Sequence, residues 1–426
     1  MSDAILDDLA ARQLVADHTD PDELRRRLAD GPITLYAGFD PTADSLHVGN
    51  LVPLLLLRRF QEAGHRPIAV AGGATGMIGD PGGRSEERNL LDDVTLDHNL
   101  AAIRTQLAQF VDLESPGGLL VDNRSWTQPL GVLDFLRDVG KHVTVNAMLA
   151  KESVRSRVES ESGISFTEFS YMLLQANDYF VLHDQHGCEL QVGGSDQWGN
   201  ITAGIDLIRR RAGARVHGLT VPLITRADGA KFGKSVDGAV WLSPDRTSPY
   251  AFYQYWMNVD DRDVERFLLQ LTLLGVDEIA EVVAAHVAAP ERRAGQRRLA
   301  QEMTGLVHGA EAARAAEAAS VVLFGGDPAG ADESTFAMVG AELGVTELGA
   351  GELAGGLAVE ELLARTGLAT SGADARRGLD AGEVRVNGRR LAQGDQVGPD
   401  DLLAGGYLLV RRTKKRYALA RVGARV

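Results

Sequence analysis

Cysteine is nearly absent: Cys188 is the single one in 426 residues. That excludes an internal disulfide framework and any zinc cluster built on thiolates, and Cys188 reads as a small buried hydrophobe rather than a reactive thiol. Long apolar runs are missing as well. The longest, at 51–57, falls far short of the roughly 20 residues that a membrane-spanning helix needs. The opening residues, MSDAILDDLAARQL, carry no basic segment leading into an apolar core and do not read as a signal peptide, so a reducing, cytoplasmic setting is expected. Net positive charge is lacking too. Lys and Arg number 44 against 59 Asp and Glu, a net of −15, which excludes a protein that coats nucleic acid over its whole surface. Neither a P-loop nor a GxGxxG dinucleotide fingerprint is evident in the glycine-bearing loops.

The apolar content of 44% and a mean hydropathy of −0.10 suit a globular chain with ample core. Its length predicts two to four domains, at about 100–200 residues each. Charge is unevenly spread. From Leu357 onward, 13 Lys and Arg face 8 Asp and Glu, a balance of +5 that leaves −20 for the rest of a chain whose net is −15. An acidic body with a basic tail is the pattern of a protein that touches nucleic acid at chosen places.

The first two hundred residues alternate strand and helix. ITLYAGF is a short apolar strand that ends in DPTADSLHVGN, and LVPLLLLRRFQEAG follows as a helix closed by Gly64. HRPIAVAGGATGMIGD is a second buried strand running into a glycine-rich turn, and CELQVGGSDQWGNITAGIDLIRR repeats the arrangement. Such βαβ units predict a doubly wound, Rossmann-like parallel sheet with ligands at the strand C-termini. The expected division is a catalytic domain at 1–226 with a mostly helical insertion at about 130–180, and a loop-plus-helix domain at 227–325. A Gly/Ala-rich linker at 326–356 and a small α+β unit at 357–426 complete it.

Two elements carry the chemistry. DPTADSLHVGN places His47 and Gly49 where a strand gives way to a helix, whose free N–H groups suit phosphates. Alone it is equally an ordinary helix entry with Asp44 or Ser45 as cap. KFGKS at 231–235 sets Lys231 and Lys234 beside Gly233, a cationic arm able to stabilise the charge that gathers on a triphosphate during adenylyl transfer. Alone it is equally a solvated basic turn.

Together, HVGN after the first strand and KFGKS after the last resemble the HIGH and KMSKS signatures of class I aminoacyl-tRNA synthetases. YAGFDPTADSLHVGN, GGATGMIGDP, GISFTEFSYMLLQANDYF and LQVGGSDQWGNITAG closely resemble the bacterial-type tyrosyl-tRNA synthetases, and the similarity runs over essentially the whole chain, including an S4-like RNA-binding unit at the C-terminus. The resemblance implies that Tyr36 and Asp178 hydrogen-bond the substrate phenol. It implies that Asp80, Tyr171 and Gln175 surround the ammonium, with Gln197 near the carboxylate. Gly38, Asp40, Gly49, Asn50, Gly194 and Asp196 would line the ATP site, Asp196 meeting the ribose. Thr42, His47, Lys231, Lys234 and Ser235 would act on the phosphates, assisted by Arg84 and Arg88 in GGRSEER. ATP is then a substrate, accompanied by Mg2+ without a dedicated protein site, and the partners are tyrosine, tRNA(Tyr) and a second copy of the chain.

The residue chemistry agrees. A pocket that must reject phenylalanine needs buried partners that phenylalanine leaves unpaired, and a carboxylate with a tyrosine hydroxyl supplies both an acceptor and a donor. No general base is required for activation, because the substrate carboxylate is already an ionised nucleophile. Some positions depart from the family pattern: Asn50 replaces the second histidine of HIGH, Gly233 opens KFGKS to greater mobility, Arg84 stands where lysine is common, and Ala37 where some relatives carry cysteine. The C-terminal runs RRGLDAGEVRVNGRRL and VRRTKKRY read as a phosphate-binding face. Three rivals remain: a tryptophanyl enzyme of the same class, a non-catalytic RNA-binding relative, and a small nucleotidyltransferase.

Overall fold

The computed structural model describes residues 4–80, 91–159, 163–227, 229, 232–235, 238–349 and 351–423. Arg84, Arg88 and Lys231 lie outside these, as do the side chains of Lys234 and Ser235. Among the described residues no helix is long and apolar enough to cross a membrane.

Strands β1 (Thr34–Phe39), β2 (Arg66–Ala71), β3 (Leu119–Asp122), β4 (Cys188–Gly194) and β5 (His217–Val221) form one sheet in the order β3-β2-β1-β4-β5. Every pairing is parallel. Both faces of β2 and β5 are covered, which is why their sequences run apolar without alternation. Chain order reverses between β1 and β4, and a doubly wound sheet opens a ligand crevice at that switch point. Gly38 marks it: although it lies on the central strand opposite Val70, it is exposed and a Cβ there would meet open space.

Helices fix what surrounds the crevice. Leu51–Glu62 starts directly behind the HVGN turn and buries eight of its twelve residues. Phe166–His186 begins at Ser165, whose hydroxyl accepts the Glu168 N–H, and stops at Gly187 with φ 63°, a left-handed position that suits glycine. Trp198–Ala212 follows β4 and packs on Phe166–His186.

The chain divides into two compact units, 1–246 with 260–290, and 247–259 with 291–426. This differs from the expected cut at 226. The helix Asp261–Leu271 buries Val264, Phe267, Leu268 and Leu271. Arg12 donates to the carbonyls of Leu269 at 3.2 Å and Leu274 at 2.7 Å, which binds that end to the first unit.

The second unit also differs from expectation. Residues 326–356 are not an open linker: helix Glu333–Leu343 buries Phe336 and Val339, and strand Val345–Leu348 pairs in parallel with Tyr417–Val422. Their Gly- and Ala-rich composition hides the short apolar stripe that does this. The C-terminal sheet runs Arg389–Arg390, Arg385–Val386, Tyr407–Arg411, Tyr417–Val422, Val345–Leu348. Asn387 and Gly388, at φ 51° and 82°, make the tight turn of its first hairpin. Arg412 in the basic run is a strut rather than free charge: it grips the Asp374 carboxylate at 2.6 and 2.8 Å and donates to the Leu368 carbonyl. Arg376, Arg385, Arg390, Lys414, Lys415 and Arg416 are exposed, with no carboxylate partner among the described residues.

Candidate active site

Tyr36, on β1, is 2% exposed, and its hydroxyl oxygen is buried with no hydrogen-bond partner among the described residues. Burial, and then the nearby charge of Asp178, push its phenol well above the ordinary tyrosine range. Asp178, on Phe166–His186, is equally buried. Its carboxylate accepts from the Asn123 amide at 3.0 Å and the Trp126 indole at 2.7 Å. Desolvation raises its pKa to about 7, against the pull of those two donors. The crevice therefore ends in an unpaired hydroxyl beside a destabilised carboxylate, a pair that a buried O–H group would satisfy.

A second knot sits nearer the strand ends. Asp40 accepts from the Tyr171 hydroxyl at 2.9 Å and the Thr75 hydroxyl at 2.7 Å. Thr75 in turn accepts from Asn123, so this knot is joined to Asp178. Gly72 has to be glycine, because a Cβ would stand 2.1 Å from Asp40 Oδ1. The Gln197 amide donates to Asp80 at 2.8 Å and to Asp196 at 3.2 Å, while its carbonyl accepts from Gln175 and Asn200, each at 3.2 Å. Burial raises the Asp196 pKa, with Gln197 opposing and Asp80 adding to it. The region is thus rich in carboxylates and amides and suits a cationic head group.

The signature motifs meet at the front. His47 caps the short turn Val48–Asn50: its Nδ1 accepts the Gly49 N–H at 3.1 Å, and its backbone N–H donates to Asn50 Oδ1 at 3.0 Å. With Nδ1 occupied as acceptor, a neutral ring carries its proton on Nε2. Gly49 is required by the histidine itself, since a Cβ would lie 2.8 Å from its ring. Asn50 spends its carbonyl oxygen on the cap and keeps its amide as donor. Thr42 is exposed, its N–H donating to the Asp40 carbonyl at 2.9 Å.

Gly233 of KFGKS, at φ 75°, approaches Val48 so closely that a Cβ would sit 2.9 Å from its Cγ2. Val240 links the two motifs, donating to the Gly233 carbonyl and accepting from the Val48 N–H, both at 3.0 Å. The role of Gly233 is thus close approach in a conformation that glycine favours, where sequence alone pointed to mobility. Backbone Lys234–Ser235 forms a short ladder with Gly238–Ala239.

Sequence reasoning missed Thr75, Asn123, Trp126 and Asn200. NRSW directly after a strand end was the available signal for two of them. It also missed a cavity of about 750 Å³ beside Asp196, lined by Lys151, Trp198, Asp206, Arg210 and His142. The Lys151 ammonium is buried there without a hydrogen-bond partner among the described residues, and desolvation lowers its pKa to about 7.

Residues 28–325 match the family model for class I tRNA synthetases (W and Y), and residues 349–420 match that of the tyrosine–tRNA ligase SYY-like C-terminal domain. The chain is 54% identical over 422 residues to a tyrosine–tRNA ligase of Opitutus terrae, covering 98% of this chain and 99% of that protein. The chain belongs to the tyrosine–tRNA ligase family. Its relative from Mycobacterium leprae is 52% identical over 427 residues, again 98% of this chain and 99% of the other. Among solved structures, the C-terminally truncated mitochondrial tyrosyl-tRNA synthetase of Aspergillus nidulans superposes with a TM-score of 0.69 at 32% identity, over 75% of this chain and 94% of that one. A tryptophanyl-tRNA synthetase of Encephalitozoon cuniculi, at 14% identity, shares the fold alone. Tyrosine–tRNA ligase membership thus sets aside the tryptophanyl, RNA-only and nucleotidyltransferase rivals.

Proposed function

We propose that this tyrosine–tRNA ligase reads its amino acid with Tyr36 and Asp178 and performs adenylyl transfer between the HVGN and KFGKS motifs. The overall reaction is that of the family. One oxygen of the tyrosine carboxylate attacks the α-phosphorus of ATP, a C–O–P linkage forms, and pyrophosphate leaves. A hydroxyl of the terminal adenosine of tRNA(Tyr) then attacks the tyrosyl carbonyl, the ester forms, and AMP leaves. ATP enters as its Mg2+ complex, the ion travelling with the substrate phosphates.

The observation that carries the pocket assignment is the orphaned Tyr36 hydroxyl beside Asp178. The substrate phenol donates to Asp178 and accepts from Tyr36, so one ligand atom relieves both groups. Asp80, Tyr171 and Gln175 take the ammonium and Gln197 faces the carboxylate, a reading supported by the Asp80–Gln197–Gln175 network. Asp40, which holds Tyr171 and Thr75, links this half to the nucleotide half. Gly38, Gly49, Asn50, Gly194 and Asp196 line the nucleotide. The Nε2–H of His47, with Thr42, Lys231, Lys234, Ser235, Arg84 and Arg88, stabilises the phosphates where charge develops. The 750 Å³ cavity beside Asp196, with Lys151, Arg210 and the Trp198 ring, suits the 3′ end of the tRNA. The S4-like C-terminal unit offers its unpaired Arg and Lys to the phosphate backbone.

Two copies act together. Val132, Leu133, Val145 and Phe166 are 74%, 80%, 59% and 77% exposed, an apolar surface that a second copy would cover. The compartment is the cytoplasm, in keeping with the single, buried Cys188.

Amino-acid-dependent ATP–pyrophosphate exchange tests the reading, with tyrosine, phenylalanine and tryptophan compared and Asp178→Ala as control. Exchange with tyrosine alone, lost in the variant, is expected. Full exchange by Asp178→Ala would remove the phenol assignment.

A further inference from the structure

We propose that helix Asp261–Leu271 is the fixed footing of the KFGKS segment, with Asp263 and Phe267 as positioning residues for its lysines. The proposal rests on the reading that those lysines bind the ATP phosphates. Asp263 lies in the first turn of the helix and is 1% exposed. A carboxylate so deeply buried is costly unless its bonds are specific. Its bonds are to the chain that enters KFGKS: Oδ2 accepts the Ala227 N–H at 2.8 Å, and Oδ1 is paired with Arg266. Arg266 also donates to the Thr225 carbonyl, so one buried ion pair holds backbone groups at both 225 and 227.

The second anchor is at Phe232. The Phe232 ring meets Phe267 edge-on, with centroids 5.2 Å apart and planes at 69°, a favoured aromatic geometry. Asp263 and Phe267 are four residues apart and therefore project from neighbouring turns of one helix face. The chain is thus held at Thr225, Ala227 and Phe232 by a single rigid element.

That element is itself tied to the other signature. Past the end of the helix, Arg59 donates to the Thr272 carbonyl, while Arg12 donates to the carbonyls of Leu269 and Leu274. Arg59 belongs to helix Leu51–Glu62, which opens at HVGN, and it and Arg12 share Asp8 as counter-ion at 3.7 and 2.8 Å. One frame therefore runs from HVGN through Arg59 to Asp261–Leu271 and on to KFGKS. Catalysis by placed cations is sensitive to displacements of about 1 Å. Loosening the Asp263 or Phe267 contact should therefore weaken transition-state stabilisation and leave the tyrosine pocket alone.

The experiment compares Asp263→Ala, Asp263→Asn and Phe267→Leu in the full-length chain. It measures kcat for tyrosine-dependent pyrophosphate exchange and, separately, the tyrosine dissociation constant by calorimetry. Asp263→Ala should lower kcat roughly 10- to 100-fold, the range for a lost hydrogen bond to a charged group, with the tyrosine constant unchanged within about twofold. Asp263→Asn keeps an acceptor for Ala227 and should recover most of that loss, and Phe267→Leu should show the same split more mildly. Parent-like kcat in Asp263→Ala and Phe267→Leu would overturn the proposal. So would a parallel loss of kcat and tyrosine affinity in Asp263→Asn and Phe267→Leu, which would mark the contacts as merely structural. Lys231→Ala separates the two levels: undiminished exchange in that variant would refute the phosphate reading itself.

Discussion

Replacing Tyr36 with phenylalanine removes one oxygen from the floor of the crevice, and the structure predicts effects of opposite sign on stability and on substrate binding. That oxygen is buried and has no hydrogen-bond partner among the described residues. An unsatisfied buried hydroxyl costs about 1–3 kcal/mol, so its removal should stabilise the fold by about 1 kcal/mol, raising the midpoint of thermal unfolding by roughly 2 °C for a unit of this size. Binding moves the other way. The phenol of tyrosine loses a donor worth about 0.5–1.5 kcal/mol, so the dissociation constant for tyrosine should rise roughly 2- to 13-fold. Phenylalanine offers no oxygen to that donor and should bind no worse, so discrimination falls by the same factor. Thermal unfolding with and without tyrosine, together with exchange rates for both amino acids, measures each term. A destabilised ligand-free variant, or unchanged discrimination, would refute the argument that this hydroxyl waits for the substrate phenol.

Three further expectations follow from particular contacts. Gly233→Ala places a side chain at φ 75° and 2.9 Å from Val48 Cγ2. The left-handed conformation alone costs about 1–2 kcal/mol, so exchange should fall at least about tenfold while circular dichroism shows the fold retained; parent-like exchange would count against the close pairing of the two motifs. The Asp178 carboxyl titrates near pH 7 in the folded protein against an ordinary value of 3.8. The folded state therefore holds this proton more tightly, and its contribution to stability, up to about 4 kcal/mol, is present below pH 4 and lost as pH rises through 7. Asp178→Asn should lose less stability than the parent between pH 4 and 8 in urea titrations, and equal slopes would refute the assignment. On the proposed pairing of two copies, Leu133→Asp, on a residue 80% exposed, should lower the sedimenting mass from two chains to one, and a mass equal to the parent's would refute the proposed surface.

Much of the candidate site is legible because its motifs sit where strands end. A short apolar strand followed by a glycine-bearing turn and an amphipathic helix announces a crevice residue whatever the rest of the chain does. His47 and Gly49 could be singled out on those grounds, and Tyr36, Asp40, Asp80, Asp178 and Asp196 once the longer family motifs were matched. Thr75, Asn123, Trp126 and Asn200 could not. Asn123 follows the edge strand β3, and only the order β3-β2-β1-β4-β5 carries it to within hydrogen-bond reach of Asp178, 55 residues away. The helix Asp261–Leu271 reads as one more amphipathic segment, and nothing in its spacing tells that Asp263 serves the backbone at 227.

The sequence by itself determined the parallel sheet, the family and its reaction, and it supplied the candidate residues on which the proposed site is built. Strand–helix alternation and long contiguous motifs are local properties of the chain. Only the tertiary structure decided that the Tyr36 hydroxyl has no partner among the described residues, that burial raises the Asp178 pKa to about 7 against two donors, and that Gly233 rests on Val48. It alone showed that 326–356 is folded rather than a linker. Periodicity reports which face of a segment is buried; the partner it is buried against comes from strand order and helix packing between residues far apart in sequence.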